Sequence, residues 1–336
     1  MTHKSRRRIP AIDVVRGFAL AGLPVVNVGL TVGHERYPDP DAISSFIYDN
    51  LVLFRFVTIF TFLFGVSFAL ILHSASGRAA RPRLVLVRRL AALFAIGMVQ
   101  LFALDQNLQL LIYAVLGLVV LLPLSYLPRR TQLTLGLALL AASMSIIEHD
   151  PHNAGFALKM LLISCGLLAL GASVVCYGIH ADLASRDTQL RMALVVAAVL
   201  AVTTLVLRPD TTSVLGSVLA DIRLLSTSTV YVSALLLLLH TGISAGLTTV
   251  LAPVGRMALT CFLTQAAAAV MFAALVDVRG WNYAALTFGG TAVFVAAQAI
   301  TCSWWLRRFQ YGPVEWLWRC ATWLSIVPIR RTPVVT

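Results

Sequence analysis

The chain is organised by long apolar runs that carry almost no charge. Leu51 to Leu72 is interrupted by a single ionised residue, Arg55, and Leu108 to Leu127 contains none. About 20 apolar residues wound as a helix cross the hydrocarbon of a bilayer. Lipid offers the backbone no hydrogen-bond partners, so each run is read as a helix that satisfies its own. Ten such runs are expected, near residues 12–32, 51–73, 90–104, 108–127, 131–147, 156–178, 191–207, 224–246, 255–276 and 283–306. The expected fold class is an all-α integral membrane protein. It is a bundle of about ten transmembrane helices in a single transmembrane domain over 1–336, with short basic tails at 1–10 and 307–336.

Loop charge sets the orientation. Cytoplasmic connections accumulate Lys and Arg. Lys4, Arg6, Arg7 and Arg8 precede the first run, Arg78 to Arg89 supply five arginines after the second, Arg129 and Arg130 follow the fourth, and Arg307 to Arg331 supply five after the tenth. Alternate connections are nearly free of them, so both termini are expected in the cytoplasm. The net charge of +12 with 12% charged residues therefore reflects topology. Its arginines sit in short connections rather than in a stripe interleaved with aromatics, and no nucleic-acid partner is expected. Twenty-four of the 26 basic residues are Arg, a bias that with the abundant Ala suits a GC-rich bacterial genome. The five cysteines form no C-x-x-C pair, four lie inside apolar runs, and they read as small packing residues. No metal site is expected. The segment Glu148 to Asn153, E-H-D-P-H-N, reads either as a solvated turn or as a group able to bind a metal or accept a proton.

An ionisable group at membrane depth costs a few kcal/mol and usually faces a bundle interior or a wet cavity. Such exceptions nominate the site. Asp13, Arg16 and Asn27 lie on the first run. At 100° per residue, Arg16 falls about 300° and Asn27 about 320° from Asp13, so the three share an arc of about 60°. Asp13 and Arg16 read as a helix-end ion pair or as part of a site. Arg55 and Arg256 read as residues that snorkel to the interface or hide their charge in a cavity. Gln265 reads as interhelical glue or as a cavity residue. The first, second and ninth runs are expected to meet around one polar cavity, lined by only one of Arg256 and Gln265 because nine residues place them on opposite faces. Arg256 opens its helix, where the dipole favours anions, so it is expected to find a partner in Glu315, Asp13 or a bound phosphate.

Three segments carry a resemblance. They are I-D-V-V-R-G-F-A-L-A-G-L-P-V-V-N (Ile12 to Asn27), F-R-F-V-T-I-F-T-F-L-F-G (Phe54 to Gly65), and P-V-G-R-M-A-L-T (Pro253 to Thr260) with Gln265 and then Y-G-P-V-E-W-L-W-R (Tyr311 to Arg319). Together they resemble the YeiB family of bacterial multi-pass membrane proteins, matched weakly between about 130 and 250. That family's architecture resembles membrane-embedded acyltransferases, including the lysosomal heparan-α-glucosaminide N-acetyltransferase. The resemblance implies a plasma-membrane protein that moves an acyl group from cytoplasmic acyl-CoA to a small acceptor at or across the membrane. The chain departs from the family where a His followed by Gly-Asp-Ile-Leu is usual: Gln100 stands at the His position.

Acyl transfer needs a base, an oxyanion donor and cations for the phosphates. His34 is the candidate base and Asn27 the candidate oxyanion donor. Asp13, Arg16, Arg55, Arg256, Gln265 and Glu315 are candidates for binding donor or acceptor. The arginines from Arg78 to Arg89 could grip phosphates, although topology alone explains them. Two other functions fit the same residues. A small-solute permease would line its path with Asp13, Arg16 and Arg55. A non-catalytic membrane partner would explain the replaced His. The expected partners are the lipid bilayer, a small-molecule acceptor or solute, and further copies of the chain.

Overall fold

The computed structural model describes residues 10–32 (29–32 as backbone only), 39–77, 80–104, 108–147, 154–179, 186–207 and 213–330. Apart from one isolated bridge between Phe309 and Arg330, these residues form helices and turns. In order they are α1 (Pro10–Val32), α2 (Ala42–Ile47), α3 (Arg55–Ser76), α4 (Pro82–Leu104), α5 (Gln109–Leu116), α6 (Leu122–Leu124), α7 (Arg129–Met144), α8 (Ala154–Cys176), α9 (Asp187–Leu207), α10 (Val214–Leu238), α11 (Ser244–Arg256), α12 (Ala258–Leu275), α13 (Thr291–Arg308) and α14 (Pro313–Trp323). Wide π turns continue α2 over Tyr48–Val52, join α5 to α6 over Gly117–Leu121 and lead into α13 over Ala285–Gly290. The chain is an all-α membrane protein. Among the described residues, 8 helices are long and apolar enough to cross a bilayer. Two of the other expected runs are helices of 16 residues: α7 as a single helix, and 109–124 as α5 joined to α6.

Helix α1 is the axis of the bundle. Val14, Ala19 and Leu20 are fully enclosed, and Val15 and Leu23 nearly so. It packs against α3, α11 and α12. Its closest neighbour is α11: Gly17 lies against the Leu251 carbonyl and Gly255 against the Asp13 carbonyl. Small residues let helix backbones approach this closely where lipid supplies no hydrophobic drive. A second crossing pairs Gly65 of α3 with the Leu168 carbonyl and Gly171 of α8 with the Phe62 carbonyl. Helix α9 lies at the periphery against α10 and turns Val195, Val199, Val202 and Val206 outward, as a lipid-facing helix should.

Three expected boundaries need correction. Arg256 does not open the ninth helix: it ends α11, where the dipole favours a cation, and that run is α12 from Ala258. The run placed at 224–246 is α10 at Val214–Leu238, capped by the Ser213 hydroxyl, which accepts from Gly216 N at 3.0 Å. The expectation avoided Asp221 and Arg223, but Asp221 pairs with Lys159 of α8 at 2.9 Å and so enters the membrane at small cost. His240 therefore lies past the end of α10, where its Nδ1 meets Asp187 at 2.6 Å. The run placed at 90–104 begins at Pro82. Arg83 and Arg89 belong to this helix rather than to a loop. Their guanidiniums lie 3.8 Å over Tyr126 and 3.5 Å over Trp318, contacts worth about 0.5–2 kcal/mol each.

The start of α1, the end of α3, the starts of α4 and α12 and the segment after α13 converge at one end of the bundle. The expectation from loop charge makes that end the cytoplasmic one. Single cysteines at Gly77 and Arg129 are expected to label only from the cytoplasmic side, and one at Asp39 only from outside. Labelling of Asp39 and Arg129 from the same side would refute the orientation.

Candidate functional site

At this converging end lies a cavity of about 550 Å³. Its mouth carries Arg16, Arg89, Arg256 and Arg319 with Asp13 and Glu315, so among the described residues four cations face two carboxylates. Its depth is apolar, ending at Phe60, Phe64, Leu110, Tyr113 and Phe262.

Three of the polar groups at the mouth, Arg16, Arg89 and Glu315, are held by contacts to other elements. Arg16 Nη2 donates to the Ser67 hydroxyl of α3 at 2.8 Å. Its Nη1 reaches Asp13 and the Gly255 carbonyl of α11, each at 3.3 Å. The Arg89 guanidinium stacks on Trp318 of α14, and the Trp318 indole donates to the Arg89 carbonyl at 2.7 Å. Helix α14 is too short to cross a bilayer and lies across this end, clasped to α4.

Glu315 fixes α14 to α12. Its carboxylate accepts from the backbone of Leu259 at 2.6 Å and Thr260 at 2.9 Å, and from the Thr260 hydroxyl at 2.5 Å. The first N–H groups of a helix have no partner within it, and a carboxylate there also meets the positive end of the dipole. Burial pushes the Glu315 carboxyl above the usual range, against the donors from Thr260 and Leu259 that pull it down.

The expected site residues separate. Asp13, Arg16, Arg256 and Glu315 meet at the cavity. Asn27, Arg55 and Gln265 do not line it. Asn27 is buried on α1, but it lies 14 residues from Asp13, about 21 Å along the axis, toward the other end. Arg55 is buried where Phe54 takes a left-handed backbone (φ 64°) and breaks the helix. There it donates to the exposed carbonyls of Asp49 at 2.7 Å and Leu53 at 2.5 Å. A broken helix in lipid needs such a donor. The second run thus reaches the cavity through Phe60, Phe64 and Ser67 instead of through Arg55. Gln265 donates to the Leu20 carbonyl at 3.2 Å and to Gln298 at 2.9 Å, joining α12 to α1 and α13. His34 and Glu148 to Asn153 lie outside the described residues. Among the described residues no group of three or more His, Cys, Asp or Glu gathers to hold a metal.

Sequence reasoning missed several members. Arg89 was counted among the charges that set topology. Arg319 closes the quoted Tyr311–Arg319 motif but received no role. Tyr113 carried no signal, being one aromatic in an apolar run. It ends the cavity with its hydroxyl 2.8 Å from Thr61 and 3.2 Å from Gln109 Nε2.

Comparison with known proteins matches residues 8–173 to the family described as heparan-alpha-glucosaminide N-acetyltransferase, catalytic. Residues 174–325 match the family described as protein of unknown function (DUF418). The two matches abut inside α8, and the cavity draws Asp13, Arg16 and Arg89 from the first and Arg256, Glu315 and Arg319 from the second. The chain is 30% identical to the uncharacterized 39.9 kDa protein in amylase 3'region of Bacillus acidopullulyticus, over 96% of each chain. It is 24% identical to the uncharacterized protein YxaH of Bacillus subtilis (strain 168), over 97% of each. No solved structure matches the chain. By its end-to-end identity with such a relative, the chain belongs to the DUF418, acyltransferase-like family of membrane proteins.

Proposed function

We propose that the chain is an acyltransferase of the bacterial plasma membrane, of the YeiB type. It takes an acyl group from cytoplasmic acyl-CoA and passes it to a small acceptor. The observation that carries this reading is the cavity, with arginines at its mouth and hydrocarbon in its depth. Forked guanidiniums suit phosphate oxygens better than any other side chain, and Arg256, Arg319 and Arg89 are the groups to hold those of coenzyme A. The catalytic-family match over 8–173 supports the same reading.

Asp13 and Arg16 are the pair we assign to the chemistry. Glu315 is committed to the start of α12, which leaves Asp13 as the mouth's other carboxylate. Asp13 takes the acceptor's proton as the acceptor's heteroatom bonds to the thioester carbon. Arg16, held by Ser67 and the Gly255 carbonyl, donates to the carbonyl oxygen as it gains charge. The carbon–sulfur bond then breaks, and the proton on Asp13 passes to the leaving thiolate. His34 and Asn27 would serve instead if the acceptor met the acyl group toward the outer end of α1. A permease using Asp13, Arg16 and Arg55 is the weaker reading, since Arg55 stands away from the cavity.

The test uses purified protein in lipid nanodiscs with octanoyl-CoA, reading binding and release of the free thiol. Arg256→Ala is expected to weaken binding about tenfold to a hundredfold, the worth of charged hydrogen bonds of about 1.5–3 kcal/mol, and Arg16→Ala to slow thiol release about a hundredfold or more, the usual loss of one oxyanion donor. Asp13→Asn is expected to keep binding and lose thiol release. Absence of saturable octanoyl-CoA binding to the parent protein overturns the reading.

A further inference from the structure

The depth of the cavity specifies what can fill it. Along α3 its wall runs from Ser74 to Phe60, 14 positions, or about 21 Å of helix. Such a shaft could accept either of two arms of an acyl-CoA. One is the pantetheine arm, with two amides and a hydroxyl. The other is the hydrocarbon of the acyl group itself.

The hydrogen-bond inventory separates them. Below the mouth the side-chain donors are already engaged, so the carbonyls of two amides would find none. The Ser67 hydroxyl donates to the Leu63 carbonyl at 2.7 Å and accepts from Arg16. The Thr61 hydroxyl donates to the Val57 carbonyl at 2.8 Å, so the proton between Thr61 and Tyr113 is that of Tyr113. The Tyr113 oxygen in turn accepts from Gln109. Along α3 the backbone groups are held within the helix. The rest is hydrocarbon and aromatic: Leu63, Leu90, Leu93, Leu110 and Phe262. An amide buried there without a partner costs several kcal/mol, whereas a methylene gains. At the deep end Phe64 stacks on Tyr113 at 5.3 Å, Phe60 lies 5.6 Å from the same ring, and Phe262 lies 6.5 Å from Phe60. These rings line its deep end.

We infer that the shaft is an acyl-chain channel and that the donor is a long-chain acyl-CoA. Its thioester then stays at the mouth beside Asp13 and Arg16, and the pantetheine arm folds back along the rim so that its phosphates meet Arg89, Arg256 and Arg319. The inference rests on the acyl-CoA reading above. The chemistry it recognises, a phosphorylated head joined to one hydrocarbon tail, is shared by single-chain phospholipids.

The experiment measures binding of CoA, acetyl-, octanoyl- and palmitoyl-CoA and of dodecyl phosphate to the protein in nanodiscs. Affinity is expected to rise by up to about fourfold per methylene until the deep rings are reached, the equivalent of about 0.8 kcal/mol per buried methylene. Leu110→Trp is expected to cancel the gain beyond octanoyl-CoA. Because partition into lipid alone also favours longer chains, a second measurement uses palmitoyl-CoA with a photoreactive group at the chain terminus. Adducts are expected on α5 and α12, at Tyr113 or Phe262. Equal affinity for acetyl- and palmitoyl-CoA, or adducts confined to lipid-facing α9, would overturn the channel and leave the acyl-CoA reading standing. Binding of dodecyl phosphate without binding of any acyl-CoA would instead remove the acyl-CoA reading, and with it the long-chain donor.

Discussion

Replacing Lys159 with Met is expected to cost about 3–5 kcal/mol of stability, the usual result of stripping one partner from a buried ion pair. Lys159 Nζ is fully enclosed, 2.9 Å from Asp221 and 2.7 Å from the Ser217 hydroxyl. Ser217 donates onward to the Ile146 carbonyl at 2.6 Å. The cluster ties α8 and α10 to the end of α7. With Met at 159, the Asp221 carboxylate would remain inside a low-dielectric bundle with its cation gone. Thermal unfolding in detergent, followed by size exclusion, should show a lower midpoint and less monodisperse protein. The double variant Lys159→Met with Asp221→Leu should recover most of the loss, because apolar replacement of a whole buried pair is often neutral or better. A single variant as stable as the parent would mean that the pair contributes nothing.

That pair also explains what the sequence could and could not disclose. Apolar runs locate helices because lipid tolerates little else. They misplace the ends wherever charges are settled inside the protein. Asp221 and Arg223 pushed the expected start of α10 ten residues too late, and Arg83, Arg88 and Arg89 did the same at α4. A rule already in use, that a charge in an apolar run needs a partner, could have flagged Lys159 and sent the search to Asp221.

The stripe on α1 was legible in angle but not in depth. By the ideal helix repeat Asp13, Arg16 and Asn27 fall on one arc, yet only the first two reach the cavity, because 14 residues of rise separate the third. Arg55 was singled out correctly as a charge that must hide. Its refuge is a pair of carbonyls freed by the left-handed Phe54, which no periodicity reports. Tyr113 became visible only in three dimensions, and Arg89 only there separates from the other arginines between Arg78 and Arg89.

Gly255→Ala should be comparably damaging, for a reason independent of charge. A Cβ at this position would overlap the Asp13 carbonyl and lie 2.8 Å from Gly17 N. Every atom it meets is backbone of α1, so no side chain can swing aside. Gly17→Ala would drive a methyl into the Leu251 carbonyl from the opposite direction. Gly117 offers the comparison: its added methyl would meet mainly the Leu90 side chain, which has rotamers to spare. Overpacking usually costs about 1–3 kcal/mol, and both α1–α11 variants are expected at or beyond the upper limit, with Gly117→Ala well below it. The consequence reaches the site directly. Gly255 lines the cavity, its carbonyl accepts from Arg16, and the next residue is Arg256. Separating α11 from α1 therefore moves Arg256 away from Asp13 and releases one of the contacts that aim Arg16. Whatever Gly255→Ala protein survives in the membrane should bind octanoyl-CoA about tenfold more weakly, since one charged hydrogen bond from a displaced Arg256 to a phosphate is worth about 1.5 kcal/mol or more. The measurement is a paired one, midpoint and affinity on the same preparation. Normal stability and normal affinity in Gly255→Ala would show that α1 and α11 do not touch at this crossing, and that the mouth is built in some other way.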